Sequence, residues 1–228
     1  MPIGVPKVPF RRRSIDNTIV LSIHERLHLE RTLFLSQKIE VPLVNRIISL
    51  LLYFDLQNDT DIFFYINCKG GEVLPTISLF DIIEFLFSDV CTTVTGLAAS
   101  GASLILAAGT NPKRVAFPHA RIMIHQPATG SFKGSPKEIK IEADEMFELR
   151  KTIAELYVQQ TSQPLDVVQN DLERDTFMSA KQAQDYGIVD RLAKEKKSIF
   201  KKKIVSDLSY FSQLFLKNNK QIKKENRK

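Results

Sequence analysis

The chain has 228 residues, of which 43% are hydrophobic, and this is enough for one domain with a full core and two tails. Its net charge of +6 is concentrated at one end, because residues 194–228 hold 12 Lys or Arg against 3 acidic residues and leave a net charge of −3 on residues 1–193. The body of the chain is therefore not basic, which argues against nucleic-acid binding by it.

The two cysteines, Cys68 and Cys91, form no CxxC pair and have no histidine cluster near them. This pattern predicts neither a disulfide framework nor a metal site. Prolines interrupt the first ten residues, where a secretory signal peptide needs an unbroken apolar segment. Residues 91–112 are uncharged, but Thr, Ser and Gly interrupt them, so a buried strand, turn and helix is expected there rather than a membrane span.

Strand and helix patterns alternate along the chain. β-Branched and aromatic runs predict strands, and apolar residues at helical spacing predict helices. In chain order these are a strand over 17–22, a helix over 41–54, a strand over 61–67, a helix over 75–86, a strand over 90–94, a small-residue helix over 100–108, and strands over 114–117 and 121–124. Strands and helices that alternate at this pace indicate an α/β fold built from crossover units.

The clearest helix covers residues 135–162. Ser135, Pro136 and Glu138 supply an N-cap, a first-turn proline and the partner of a capping box. Because its apolar residues form more than one face, the helix is expected to pack on two sides, with another subunit as a candidate for the second.

The Lys-rich end, residues 194–228, has two interpretations. It is either a mobile basic tail or, since Ile204, Leu208, Phe211 and Phe215 recur at helical spacing, a short amphipathic helix for a membrane surface or a partner.

Three residues in chain order can form a charge-assisted nucleophile. Ser100 lies in a small-residue run that an extended backbone can approach, and His125 and Asp175 follow it. A serine hydroxyl needs a base to take its proton, and the imidazole needs a carboxylate to fix its tautomer. The oxyanion that forms needs amides, which Gly101 and the Gly70-Gly71 turn can present.

Each of these residues also has a structural interpretation. Ser100 can serve helix packing, and His125 can be a hydrogen-bonded core histidine. Asp175 can be a surface ion-pair or turn residue. Pattern and spacing alone therefore support no more than the hypothesis of a hydrolase.

Four segments resemble the signature blocks of the Clp protease proteolytic subunit, in the same order and at matching spacing. They are YINCKGG at 65–71, GLAAS at 96–100, RIMIHQP at 121–127 and ERDTFMSA at 173–180. The resemblance runs from about Pro2 to Leu192, and MPIGVPKVPF at 1–10 and AFPHAR at 116–121 are similar to plastid-encoded members.

The resemblance implies a serine endopeptidase with Ser100, His125 and Asp175 as its triad and the Gly71 and Gly101 amides as its oxyanion hole. It implies an α/β fold, a crotonase-like stack of ββα units with a protruding strand-helix handle at 128–162. The implied organisation is an N-terminal axial segment and first strand over 1–22, a peptidase domain over 23–193 and a basic extension over 194–228.

The resemblance also implies partners. Family members form two stacked heptameric rings, which can be mixed, around a chamber in the plastid stroma. A hexameric Clp ATPase threads unfolded polypeptides into it, and Phe63, Tyr65 and Phe85 match its docking surface, although packing in the core is the alternative for each. Arg11 to Arg13 would line the axial entrance. No GxxxxGK[ST] motif occurs, so no cofactor is expected in this chain and the partner uses ATP.

Some positions depart from the family pattern. Cys68-Lys69 stands where Ser-Pro is usual, which removes a φ-fixing proline, and Gly101-Ala102 stands where Met-Gly is usual. Thr176 replaces an arginine of the contacts between rings. These departures motivate a first alternative, an inert structural subunit of a mixed ring. A second alternative is a crotonase-type acyl-CoA enzyme, which needs acidic residues near the oxyanion site.

Overall fold

The computed structural model describes residues 4–11, 18–128, 130 and 133–193. Within these ranges the strands are β1 (Lys7–Arg11), β2 (Thr18–Ser22), β3 (Thr32–Leu35), β4 (Ile62–Cys68), β5 (Val90–Ala99), β6 (Val115–Ala116), β7 (Arg121–Ile124), β8 (Thr176–Ser179) and β9 (Arg191–Leu192). The helices are α1 (Ile23–His28), α2 (Val41–Gln57), α3 (Val73–Phe85), α4 (Gly101–Ala107), α5 (Pro136–Thr161), α6 (Leu165–Leu172) and α7 (Ala180–Tyr186).

A mostly parallel sheet organises the fold. Strands β3, β4, β5, β6 and β9 are neighbours in that order, and β7 pairs parallel with β5 and antiparallel with β8. Strands β1 and β2 form a separate antiparallel pair. The α/β fold class is therefore confirmed.

One face of β3 and β4 is buried and the other is open. Along β4, Ile62, Phe64, Ile66 and Cys68 are buried, while the alternate residues are exposed or half-buried. Phe34 and Tyr65, opposite each other in the register, stack on the open face with ring centroids 5.6 Å apart. Parallel sheets are normally covered on both faces, so this open face is suited to a partner.

Strand β5 is longer than predicted. It was expected to end at Val94, but it continues to Ala99 because it has successive partners on one side. Thr93 and Val94 pair with β6, and Leu97 to Ala99 pair with β7. The extension matters because it ends one residue before Ser100.

Helix α5 has the start that the sequence predicts. The Ser135 side chain accepts from the Glu138 amide, and the Glu138 carboxylate accepts from the Ser135 amide. The only buried residues of the helix lie in its last third, and Ile139, Ile141 and Phe147 are exposed. Within the described chain the helix therefore packs over its C-terminal part alone, and the predicted second packing surface is exposed.

Several short elements were not predicted, namely β1, β3, β8, β9, α1, α6 and α7. Other expectations fall outside the described residues: Arg12 and Arg13 of the axial segment, part of the handle strand at 129 and 131–132, and the amphipathic helix at 204–215. No helix in the described ranges is both long and apolar enough to cross a membrane.

Candidate active site

Three elements bring Ser100, His125 and Asp175 together. Ser100 lies between β5 and α4, His125 directly follows β7, and Asp175 directly precedes β8. Because β7 pairs with both β5 and β8, its end meets the other two residues. His125 Nε2 is 2.9 Å from Ser100 Oγ, and His125 Nδ1 is 2.9 Å from Asp175 Oδ1.

The two contacts of the imidazole define its role. Since a carboxylate can only accept, the Nδ1–H of neutral His125 donates to Asp175 and leaves Nε2 free to accept the Ser100 hydroxyl proton. The His125 side chain is 28% exposed and the Asp175 side chain is 62% exposed. The carboxylate is thus close enough to orient the ring, but water reaches it.

Ser100 lies on a strained turn. Ser100 has φ 56° and ψ −129°, and its N–H donates to the Met123 carbonyl at 2.9 Å. A positive φ is costly for a residue with a Cβ and persists only when the surroundings define it. Gly70 supplies part of these surroundings, because a Cβ on it would lie 2.8 Å from the Ser100 Cβ. Gly70 itself has φ 92°, which favours glycine for a second reason.

The Gly71 and Gly101 amides lie beside the nucleophile. Both residues line the same cleft as Ser100 and His125. Gly101 begins α4, and the first amides of a helix have no partner inside it. No hydrogen bond within the described ranges engages the amide of Gly71 or of Gly101. Both N–H groups are therefore free to bind an oxyanion.

The turn before Gly71 is held without a proline. The Gly70 amide donates to Cys68 Sγ at 3.2 Å, and the Cys68 thiol donates to the Gln37 carbonyl at 2.9 Å. Burial raises the pKa of the Cys68 thiol, so it stays protonated and can donate. The Cys68-Lys69 departure thus replaces a backbone constraint with two side-chain hydrogen bonds.

The Thr76 side chain packs against Gly101, the residue that follows Ser100. A Cβ at position 101 would overlap the Thr76 side chain, which is buried and donates to the Glu72 carbonyl at 2.7 Å. Thr76 therefore fills the space that a side chain on residue 101 would need.

The proposed docking residues are at the surface. Phe63 and Phe85 are 43% and 72% exposed, and Tyr65 is half-buried on the open face of β4. Neither phenylalanine is a core residue. Thr176, which stands where the family pattern has an arginine, instead uses its hydroxyl to donate to the Asp171 carbonyl at 2.7 Å.

Three residues near Ser100 were not anticipated from the sequence as parts of the site. Thr76 and Tyr157 line its cleft, and the Ser103 hydroxyl contacts the Ser100 carbonyl. Ser103 follows Ser100 by three positions on a helix, which is a usable signal. Thr76 and Tyr157 come from distant elements, and no local pattern marks them. In the described part of the chain no group of three or more His, Cys, Asp or Glu is placed to hold a metal ion.

A serine, an imidazole and a carboxylate joined in this order, beside two free amides, are the arrangement of a serine hydrolase. Comparison with known proteins specifies the class further. The Clp protease family matches residues 16–196. ATP-dependent Clp protease proteolytic subunits from Phalaenopsis aphrodite subsp. formosana, Daucus carota and Panax ginseng are similar to the chain. The Phalaenopsis protein is 46% identical over 196 residues, which is 86% of this chain and 96% of the relative.

The Daucus protein is 48% identical over 194 residues, which is 85% of this chain and 98% of the relative. The Panax protein is 49% identical over 196 residues, which is 86% of this chain and 100% of the relative. The chain therefore belongs to the Clp protease family, and the resemblance predicted from its four segments is confirmed.

Proposed function

We propose that the chain is the serine endopeptidase subunit of an ATP-dependent Clp protease and hydrolyses unfolded polypeptides to short peptides. The observation that carries this proposal is the continuous hydrogen-bond chain from Ser100 Oγ through His125 to Asp175, with 2.9 Å at each step. Family membership supplies the class of reaction, and this geometry supports Ser100, His125 and Asp175 as the residues that carry it out.

The chemistry follows from these contacts. His125 Nε2 takes the Ser100 proton as Oγ attacks the scissile carbonyl carbon, and the carbonyl oxygen becomes an oxyanion held by the Gly71 and Gly101 amides. The imidazolium then gives its proton to the leaving amine, and the acyl group remains on Ser100 as an ester. Water, deprotonated by His125, attacks this ester, and the imidazolium returns the proton to the leaving Ser100 Oγ as the peptide acid is released. Asp175 keeps the imidazole in the required tautomer throughout.

The finer partner assignments belong to the same proposal. The subunit assembles with homologous subunits into two stacked heptameric rings in the plastid stroma. The exposed apolar residues of α5 meet another subunit. ATP is used by a hexameric Clp ATPase, whose loops dock near Phe63, Tyr65 and Phe85, and this chain itself needs no cofactor.

Neither alternative function has comparable support. An inert subunit was motivated by the departures at Cys68-Lys69 and Gly101, and the contacts of Cys68 and Thr76 accommodate both. A crotonase-type enzyme needs acidic residues near the oxyanion site, yet none of the described residues that line the cleft around Ser100 is acidic.

A fluorophosphonate probe tests the proposal in the assembled particle. We expect the probe to label Ser100, as identified by peptide mass spectrometry, and to stop labelling in Ser100→Ala. Ser49→Ala is the matched control, because this exposed hydroxyl donates only to the Asn45 carbonyl in its own helix. Absence of label on assembled wild-type protein would exclude the enzyme and leave the structural subunit.

A further inference from the structure

Two buried hydroxyl groups that the mechanism does not use, those of Ser103 and Tyr157, lie next to the turn that carries Ser100. Ser103 Oγ is 2.8 Å from the Tyr157 hydroxyl oxygen, and these side chains come from α4 and α5. Ser103 is completely buried, and Tyr157 is among the largest fully enclosed side chains of the described core.

Ser103 also contacts the main chain on both sides of the catalytic hydrogen bond. Its Oγ is 2.6 Å from the Ser100 carbonyl oxygen and 2.8 Å from the Met123 carbonyl oxygen. The first carbonyl belongs to the turn that carries the nucleophile, and the second belongs to β7, which ends immediately before His125.

The direction of these hydrogen bonds follows from counting protons. The Ser103 hydroxyl has one proton, and both carbonyls can only accept. Ser103 is the only hydrogen-bond partner of the Tyr157 hydroxyl among the described residues. Tyr157 therefore donates to Ser103, and Ser103 donates to one of the carbonyls. The reverse direction would leave the phenol proton buried without an acceptor. Burial raises the pKa of Tyr157, which keeps this donor protonated.

This arrangement bears on the geometry of Ser100. A serine at φ 56° keeps that conformation only if its neighbours define it. The Ser103 hydroxyl adds a second hydrogen-bond donor at one of two carbonyls: that of Ser100, which already accepts from the Ser103 amide at 2.9 Å, or that of Met123, which already accepts from the Ser100 amide at 2.9 Å. Small displacements of a catalytic group are costly, because about 1 Å can reduce the rate about 100-fold.

We propose that Tyr157 and Ser103 are positioning residues for the nucleophile: Tyr157 on α5 orients the Ser103 hydroxyl, and that hydroxyl, by donating to the Ser100 or the Met123 carbonyl, fixes Ser100 Oγ relative to His125 Nε2. This inference rests on the proposed function. It adds a second role for α5: besides presenting an exposed apolar surface, the helix helps to position the turn that carries Ser100.

Tyr157→Phe in the assembled full-length protein is the first test. The ring stays in the cleft wall and only the donor is lost, so KM should remain within about twofold while kcat falls about three- to tenfold, as expected for one buried hydrogen bond. The rate constant of fluorophosphonate labelling should fall by the same factor. Tyr53→Phe is the control, because it makes the same chemical change at a hydroxyl that accepts from Gln57 within α2, and no described hydrogen bond joins that hydroxyl to Ser100, Ser103 or Met123.

Ser103→Ala gives a second, independent test. It removes the hydroxyl next to both carbonyls and leaves the Tyr157 proton without an acceptor, so kcat should fall further than in Tyr157→Phe. Adding Tyr157→Phe removes that unpaired donor, so the double variant should be no slower than Ser103→Ala and should unfold at a higher temperature than it does. The two effects are therefore expected to be strongly non-additive.

The outcomes separate this inference from the proposed function. If wild-type protein is not labelled, both are overturned. If wild-type protein is labelled and Tyr157→Phe matches it in kcat and labelling rate, only the positioning role is overturned. The same holds if kcat falls merely in proportion to the loss of assembled particles, since that would indicate a structural role alone.

Discussion

At the residue scale, neighbouring side chains accommodate the residues around Ser100 that depart from the family pattern. The turn before Gly71 lacks a proline, and the Cys68 thiol supplies an acceptor for the Gly70 amide and a donor for the Gln37 carbonyl. Position 101 lacks a side chain, and Thr76 occupies that space. The Gly71 and Gly101 turns are therefore held by side chains and not by a proline, and both amides have no hydrogen-bond partner among the described residues.

Substitution of Cys68 tests this replacement. Cys68→Ser keeps a donor and an acceptor in the same place, so we expect kcat within about threefold of wild type. Cys68→Ala leaves the Gly70 amide and the Gln37 carbonyl without this partner. It should lower the free energy of unfolding by about 1–3 kcal/mol and reduce kcat about tenfold, as the Gly71 amide loses its position. Denaturant unfolding and peptide hydrolysis measure the two effects, and equal kcat for both variants would show that the thiol does not hold the turn.

The exposure of Asp175 leads to a second prediction at this scale. In a buried serine-protease triad, replacing the Asp by Asn costs about 10,000-fold in kcat because the imidazole adopts the wrong tautomer. Here the carboxylate is 62% exposed, and water can also accept the Nδ1 proton. We therefore expect Asp175→Asn to lower kcat severely, but by less than about 10,000-fold.

Glu173→Gln is the control for that measurement, because the Glu173 carboxylate is nearby but pairs with Arg150 at 3.5 Å. Its kcat should stay close to that of wild type. Hydrolysis by Asp175→Asn at the wild-type rate would exclude Asp175 as the third member of the triad.

At the element scale, the structure separates what local sequence determines from what it does not. The capping box and first-turn proline of α5 are local signals, and the helix begins where they predict. Helix α7 has the same signal in Ser179 and Gln182, followed by Gly187 at its end, so it could have been predicted. The end of β5 could not, because Leu97, Ala98 and Ala99 are strand residues only through their pairing with β7.

The site divides in the same way. The order of Ser100, His125 and Asp175 suggested a triad, but only strand pairing brings their side chains within hydrogen-bond distance. Tyr157 looked like one more apolar residue of a long helix. Its role depends on a contact with Ser103 across 54 positions of the chain, which no periodic pattern encodes.

The exposed part of α5 gives a prediction at the element scale. Phe147 is 66% exposed, and no described contact covers it, so an assembled particle should bury it against another subunit. Phe147→Glu places a charge in that interface and should shift the protein to smaller species in analytical ultracentrifugation. Glu155→Lys is the control. This exposed residue lies in the C-terminal part of α5, which packs against the rest of its own chain, so its substitution should leave the assembly unchanged. A full-size particle for Phe147→Glu would exclude this surface as an interface.

At the scale of the whole molecule, the excess positive charge lies in a different part of the sequence from the peptidase body. The body over 1–193 carries a net charge of −3, and residues 194–228 carry the excess of Lys and Arg. The match to the Clp protease family ends at residue 196, so nearly all of the basic extension lies beyond it. Ser100, His125 and Asp175, and the described contacts that position them, lie within the body.

Removal of residues 194–228 should therefore separate binding to anions from catalysis. The shortened chain should hydrolyse peptides with kcat within about twofold of the full chain, because no residue of the triad or its support is lost. The full chain should bind a heparin column at low ionic strength and elute as salt screens its basic extension, whereas the shortened chain should pass through. A full-length variant with Lys201, Lys202, Lys203, Lys223 and Lys224 changed to Gln controls for length, and it should elute earlier than wild type. Retention of the shortened chain would place the anion-binding surface on the body instead, despite its net negative charge.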